Sequence, residues 1–260
     1  MKNIKFYTLL TIIFCYSCTS EIIFDDKDPN TTATNVISDL IISEIATYIN
    51  TDVTNGGTRN GYIELYNGTE NNIDLSQYAI GYQASLDEKT AVPWDFSNLT
   101  NVLLLTGTLD KTKAYVIASS QANSTAVPRN TTWGTTSTAS ADASKPLQLS
   151  GNSAIALLKK DAAGTYIISS EKYKIIDVFG NPNVERVLST GTASSRNNLM
   201  WSIAGESADT RNRTFFRKAT VKAPNSNWSS SKGDTALNSE WKISENRLWI
   251  YTNVGLFTGF

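Results

Sequence analysis

Two carboxylates on short β-type runs are the residues best suited by type and spacing to acid–base chemistry: Glu44 in LIISEIA (residues 40–46) and Glu64 in GYIELYN (residues 61–67). If the two runs pair as strands, the carboxyls stand side by side, the arrangement that drives two pKa values apart for general acid and general base work. The plainer reading is that each carboxylate bonds to a loop amide or an arginine, and that is the expectation here. Asp25-Asp26-Lys27-Asp28 is the densest acidic cluster. Oxygen ligands for Ca²⁺ or Mg²⁺ must converge from several groups, and this run lacks the glycine turn and terminal glutamate of an EF-hand loop. It reads as an acidic tether, which leaves a carboxylate-based or Ca/Mg-dependent hydrolase as the weaker alternative. The chain has no histidine, and so lacks the commonest general base and the usual imidazole ligand. No catalytic residue, metal site or cofactor is expected.

Recognition chemistry has two candidates. Arg211, Arg213 and Arg217 fall on one face of a strand with Phe215 between them, as in a groove that stacks nucleic-acid bases. The competing reading is an edge strand guarded by charge. Trp133 lies in the Ser/Thr/Ala-rich interruption of residues 120–146, where a loop tryptophan offers a large contact surface and one donor. These five residues are the candidate ligand contacts.

The elements that must hold these residues are strands. From residue 40 onward, apolar runs of strand length alternate with Asn, Gly, Ser, Thr and Asp clusters: residues 101–105, 113–119, 147–150, 153–160, 165–170 and 174–180 follow the two already quoted. No segment shows a helical stripe. In residues 61–67, Ile63 and Leu65 point to one face and Tyr62, Glu64 and Tyr66 to the other, so the first pair is expected in the core. Residues 147–158 read as a hairpin about Gly151-Asn152, with Leu147, Leu149, Ile155 and Leu157 on the core side.

The N-terminus reads as an address. Lys2 and Lys5 precede an apolar run, residues 6–14, that is too short to span a bilayer. The run ends in Cys15-Tyr16-Ser17-Cys18, which resembles a bacterial lipobox. Cys18 fits the lipid-bearing position because the small Ser17 precedes it, whereas Phe14 is too bulky to precede a cut at Cys15. Cys15 and Tyr16 stand where an aliphatic and a small residue are commoner. The alternative is an ordinary secretory signal cut near Ser17 or Ser20. Acyl chains contribute about 0.8 kcal/mol per buried CH₂, so diacylation gives a lasting anchor. Both cysteines lie here, and the remainder has no disulfide to staple it.

The order of segments resembles the lamin tail domain family. The family's I-x-E-I strand matches residues 42–45, its aromatic-Ile-Glu-aliphatic-x-Asn strand residues 62–67, and its D-L-S turn Asp74-Leu75-Ser76. Glu44, Glu64, Asn67, Asp74 and Leu75 thus carry the signature, with Tyr78 where the family often has tryptophan. Residues 105–109 and 114–117 resemble the middle strands, and Asp177 to Gly180 the closing D-x-x-G strand. Thr214 to Thr220, then Asn227-Trp228 and Glu240-Trp241, resemble the R-K segment and N-W and E-W repeats that end secreted bacterial members. The resemblance implies an all-β, immunoglobulin-like β-sandwich of the lamin-tail type, with a C-terminal extension packed on it.

The expected organisation is a lipoprotein signal peptide over residues 1–17, a polar acidic tether over 18–38 and the sandwich over 39–260, with its core in 39–180 and its extension in 181–260. With 23 basic against 24 acidic side chains, no global field favours nucleic acid or an anionic membrane. The expected function is a non-catalytic binding or display module, exported and held at the outer membrane, with an envelope protein or glycan as partner and membrane contact through the lipid alone. A nucleic-acid-binding accessory domain is the alternative that the family implies. Asp234-Thr235-Ala236 resembles a short O-glycosylation acceptor of exported Gram-negative proteins.

Overall fold

The computed structural model describes residues 36–47, 60–83, 93–134, 147, 154–182, 187–188, 199–200, 202–206, 213–245 and 248–257. All belong to the compact unit Asn35–Phe260. Cys18, the acidic run at 25–28 and Arg211 lie outside the described residues, as do Leu149 and the Gly151-Asn152 turn.

Fifteen strands form among the described residues: β1 (Ile41–Ala46), β2 (Tyr62–Tyr66), β3 (Ile73–Asp74), β4 (Tyr78–Gln83), β5 (Val102–Leu104), β6 (Thr108–Leu109), β7 (Ala114–Ser119), β8 (Thr131–Trp133), β9 (Ala154–Lys160), β10 (Tyr166–Ile168), β11 (Glu171–Phe179), β12 (Val187–Leu188), β13 (Leu199–Met200), β14 (Thr214–Arg217) and β15 (Trp241–Ile243). One sheet has the order β15-β14-β1-β2-β7-β8 and the other β10-β11-β9-β4-β5. All pairs in these two sheets are antiparallel except β7 with β8. Ile45, Ile63, Leu65 and Ile117 of the first sheet meet Ile80, Tyr82, Ile155, Leu157 and Phe179 of the second in one core. Two sheets facing each other across an apolar interior make this the immunoglobulin-like β-sandwich expected from the sequence.

Local chemistry explains the strand limits. Asp74 caps the 3₁₀ turn Leu75–Gln77 by accepting from the Ser76 amide at 2.9 Å, so the chain leaves β3 and drops Leu75 into the core. Asn67 holds the β2 end twice: its Nδ2 donates to the Asn71 and Leu109 carbonyls at 2.9 and 3.0 Å, and its Oδ1 accepts from Thr69. The β10–β11 hairpin turns on Ser169 and Ser170, with φ of 49° and 70°, the paired left-handed residues of a two-residue turn that matches strand twist. Gly81 lies directly under the Phe96 ring, which leaves no room for a Cβ.

Three expectations are corrected here. Residues 120–134 are a turn followed by β8, and Trp133 sits buried in that strand, edge-on to Tyr82 at 6.3 Å, with no loop face to offer a ligand. β14 lies between β15 and β1, so it is no edge strand. Phe215 and Arg217 along it, and Arg213 just before it, are all buried, and the expected stacking groove has no exposed cation or ring among these three. The C-terminal extension packs on the sandwich as expected and completes its first sheet with β14 and β15.

Candidate functional site

The side chains with the most chemistry gather in two buried polar networks, one on each side of the first sheet. The outer network begins at a β-bulge in β1. Register shifts between Ile42 and Glu44, so Ser43 and Glu44 oppose the single residue Glu64. Ser43 Oγ donates to Glu64 Oε1 at 2.8 Å, and Tyr62 Oη donates to Glu44 Oε1. The carboxylates are thus neighbours on one face, as the sequence suggested, and both are buried.

That face is roofed by residues 249–257. Asn253 Nδ2 donates to Glu44 Oε2 at 2.8 Å, and the Gly255 amide donates to Glu64 Oε2 at 2.7 Å. Each carboxyl oxygen therefore has a donor from the chain itself. Tyr62 Oη also lies 3.3 Å from the Ile250 carbonyl, and Trp249 Nε1 reaches the Thr47 carbonyl at 2.5 Å. Phe257 packs on Tyr66 with ring centroids 4.4 Å apart. Tyr62, Val116, Ala118, Val127 and Val254 fill a second, smaller apolar cluster beneath this roof. Of the outward set of β2, Tyr62 and Glu64 are consequently buried and Tyr66 half-buried.

Electrostatics follow from that burial. Desolvation pushes the Glu44 carboxyl up to about 8, with Glu64 adding to the rise and the Tyr62 hydroxyl and Asn253 amide opposing it. Burial also raises Glu64, against the pull of Ser43 and Gly255. Tyr62 is raised by burial first and by Glu44 second. At neutral pH Glu44 holds a proton, and the network accommodates it: the carboxyl OH turns to Tyr62 Oη, whose own hydrogen turns to the Ile250 carbonyl. A carboxylic acid so engaged is a hydrogen-bond donor inside the fold.

The inner network ties the two sheets together. A second bulge, between Ile175 and Asp177, brings the fully buried Asp177 to the β1 side. Its oxygens accept from the amides of Ile42 (2.8 Å), Val178 (3.1 Å) and Asn225 (3.0 Å) and from both terminal nitrogens of Arg217 (3.1 to 3.3 Å). Arg217 Nη2 also donates to Glu240 at 2.7 Å, and its guanidinium lies 4.6 Å from the Trp241 ring centre. Burial raises Asp177, while Arg217 and the backbone amides pull it back. Phe179 meets Phe215, Trp228 and Trp241 at 4.9 to 5.4 Å alongside, so Trp228 and Trp241 pack into the core beside this network.

Arg213 donates to Glu206 at 2.6 Å and to the Ser244 carbonyl at 3.1 Å. The sequence reading missed Asn253, Gly255 and Asn225. Nothing in their local patterns marks them, because their partners lie tens to hundreds of residues away. Thr235 lies in an exposed turn closed by Asn238. An open depression of about 500 Å³ at one end of the sandwich is lined by Gln77, Lys160, Asp161, Ser170, Glu171 and Lys172.

Comparison with known proteins adds one family. The Lamin Tail Domain family matches residues 33–175, more than half of the chain. No curated protein matches. A crystal structure of a DUF4876 family protein from Bacteroides thetaiotaomicron is similar, with 13% identity, a TM-score of 0.41, and coverage of 86% of this chain and 72% of that one.

Proposed function

Because the chain belongs to the lamin tail domain family, we propose that it is a non-catalytic binding or display module, exported and held at the outer membrane by lipid on Cys18. The observation that carries the non-catalytic part is the use made of the candidate carboxylates. All four oxygens of Glu44 and Glu64 are engaged in hydrogen bonds within the chain, and Asp177 is engaged by three amides and Arg217. The groups able to move protons are spent on holding the fold.

A protein or glycan is the ligand class. The end depression presents Gln77, Lys160 and Lys172 as donors and Glu171 as an acceptor, groups suited to amides and sugar hydroxyls. The acidic stretch before residue 38 supplies a solvated spacer between anchor and domain. Nucleic acid is not favoured, since Arg213 and Arg217 are buried in ion pairs.

Two measurements test this reading. Mass analysis of the native N-terminus should find acylated Cys18, and Cys18→Ala should move the chain from the membrane fraction to the soluble one; an N-terminus beginning beyond Cys18 sinks the anchor. A glycan and envelope-protein array probed with residues 35–260 should give saturable binding that Lys160→Ala with Lys172→Ala weakens. Turnover of a glycan or peptide bond by the same protein would refute the non-catalytic assignment.

A further inference from the structure

The roofed face of the first sheet has two owners. Its floor, β1, β2 and β7, lies entirely within the family match at residues 33–175, whereas its cover, residues 249–257, lies outside it. The domain proper therefore builds a face of carboxyls and tyrosines that a later segment closes.

The cover is held as a ligand would be held. It forms no strand ladder among the described residues. It folds into consecutive turns, Val254 N to Tyr251 O at 3.5 Å and Leu256 N to Asn253 O at 2.8 Å, with Gly255 at φ +84°. From that shape it projects separate contacts onto the floor: a side-chain amide to Glu44, a backbone amide to Glu64, a carbonyl to Tyr62 and an aromatic ring to Tyr66. Only Asn253 and Val254 of the segment are buried, while Leu256 is 62% exposed. Asn253 Oδ1 is buried with no hydrogen-bond partner among the described residues, so even the buried part is incompletely satisfied. Few buried apolar contacts and isolated polar ones are the marks of a segment that opens below the global unfolding free energy.

We infer that this face is a docking site for a turn-forming polypeptide segment that offers amide donors and an aromatic side chain, occupied in cis by residues 249–257. The floor selects that chemistry. Glu64 accepts a main-chain N–H, which any peptide supplies, Glu44 accepts a side-chain amide, and the Tyr66 ring takes the aromatic. An incoming segment must displace the chain's own, whose high effective concentration keeps the face closed to weak competitors. The site is distinct from the end depression, and its test does not depend on the lipid anchor.

The probe is a labelled synthetic peptide with the sequence of residues 248–260, and the receptor is the full chain carrying Asn253→Ala with Gly255→Pro. The substitution at 255 removes the N–H and forbids the left-handed φ, so the cis segment is loosened. The peptide is expected to bind this variant saturably and at least tenfold more tightly than the unmodified chain, and a further Glu64→Leu, which removes the acceptor of the residue-255 N–H, should weaken binding at least tenfold. A folded double variant that ignores the peptide, or binding indifferent to Glu64→Leu, overturns the inference. Should the double variant fail to fold, hydrogen exchange on the unmodified chain decides. Amides of 249–257 should exchange at least a hundredfold faster than those of β1 and β2, and exchange of all three together, through global unfolding alone, overturns it.

Discussion

Replacing Glu44 by glutamine should flatten the pH dependence of stability between about pH 5 and pH 8. The folded carboxyl holds its proton up to about 8, whereas in the unfolded chain it releases it near 4.5. Below 4.5 both states are protonated and the group is neutral to stability. Between the two values only the unfolded state releases the proton, so stability falls as pH rises, and above 8 the loss is complete and constant. A separation of about 3.5 units corresponds to about 5 kcal/mol. That is a large fraction of the roughly 5–15 kcal/mol that holds a domain together. Glu64 is raised as well and adds a loss of the same sign, so the Glu44→Gln chain should keep a shallower slope. Asp177 is raised by burial too and adds a loss of the same sign that the Glu44→Gln chain retains, whereas Asp161, lowered by its bond to Lys174, acts below the usual carboxylate range and Tyr62, raised by burial, acts above the usual tyrosine range. The glutamine can donate to Tyr62 Oη and accept from Asn253, so the network survives the change. Urea unfolding at pH 5, 6, 7, 8 and 9 should give a wild-type free energy that declines by several kcal/mol with an unchanged m value, and a Glu44→Gln chain at least as stable as wild type at pH 8. A wild type equally stable at pH 5 and pH 8, or an identical slope in the variant, would refute the protonated Glu44.

Three further outcomes follow from the packing. Arg217→Ala leaves Asp177 buried without its cation, and thermal unfolding should show a loss of about 3–5 kcal/mol. Gly81→Ala drives a methyl into the Phe96 ring, and denaturant titration should show a loss of about 1–3 kcal/mol. Ser170→Gly relieves a left-handed φ of 70° in the β10–β11 turn, and the same titration should show a gain of about 1 kcal/mol.

Much of the sandwich is legible in the chain because its longer strands are rich in branched and aromatic residues and end in turn chemistry. Residues 40–46, 61–67, 113–119 and 153–160 become β1, β2, β7 and β9 to within one residue at either end. β8 escapes because Thr131-Thr132-Trp133 is short, sits in a Ser/Thr-rich stretch and pairs in parallel with β7, which leaves no local signature. The parity of Arg213, Phe215 and Arg217 is legible; its direction is not. Strand alternation places them on one face but does not say whether water or Asp177, 40 positions from Arg217, lies opposite. The pairing of Glu44 with Glu64 is visible as two strands in succession. Its roof is not, because Gly255 lies 191 positions from Glu64 and Asn253 209 from Glu44.

The placement of β14 against β1 bears on how the chain matures. Thr47 is bonded to Arg213 across 166 positions, so the first strand of the sandwich waits for nearly the last. Until then one flank of β1 offers unpaired N–H and C=O groups to any passing strand. A chain delivered N-terminus first spends most of its synthesis with that flank raw, and contacts of such long range form slowly. A protein cut short before residue 213 should accordingly be a seed for aggregation rather than a smaller working domain, and a holdase that shields β1 would be of most use to it early in life.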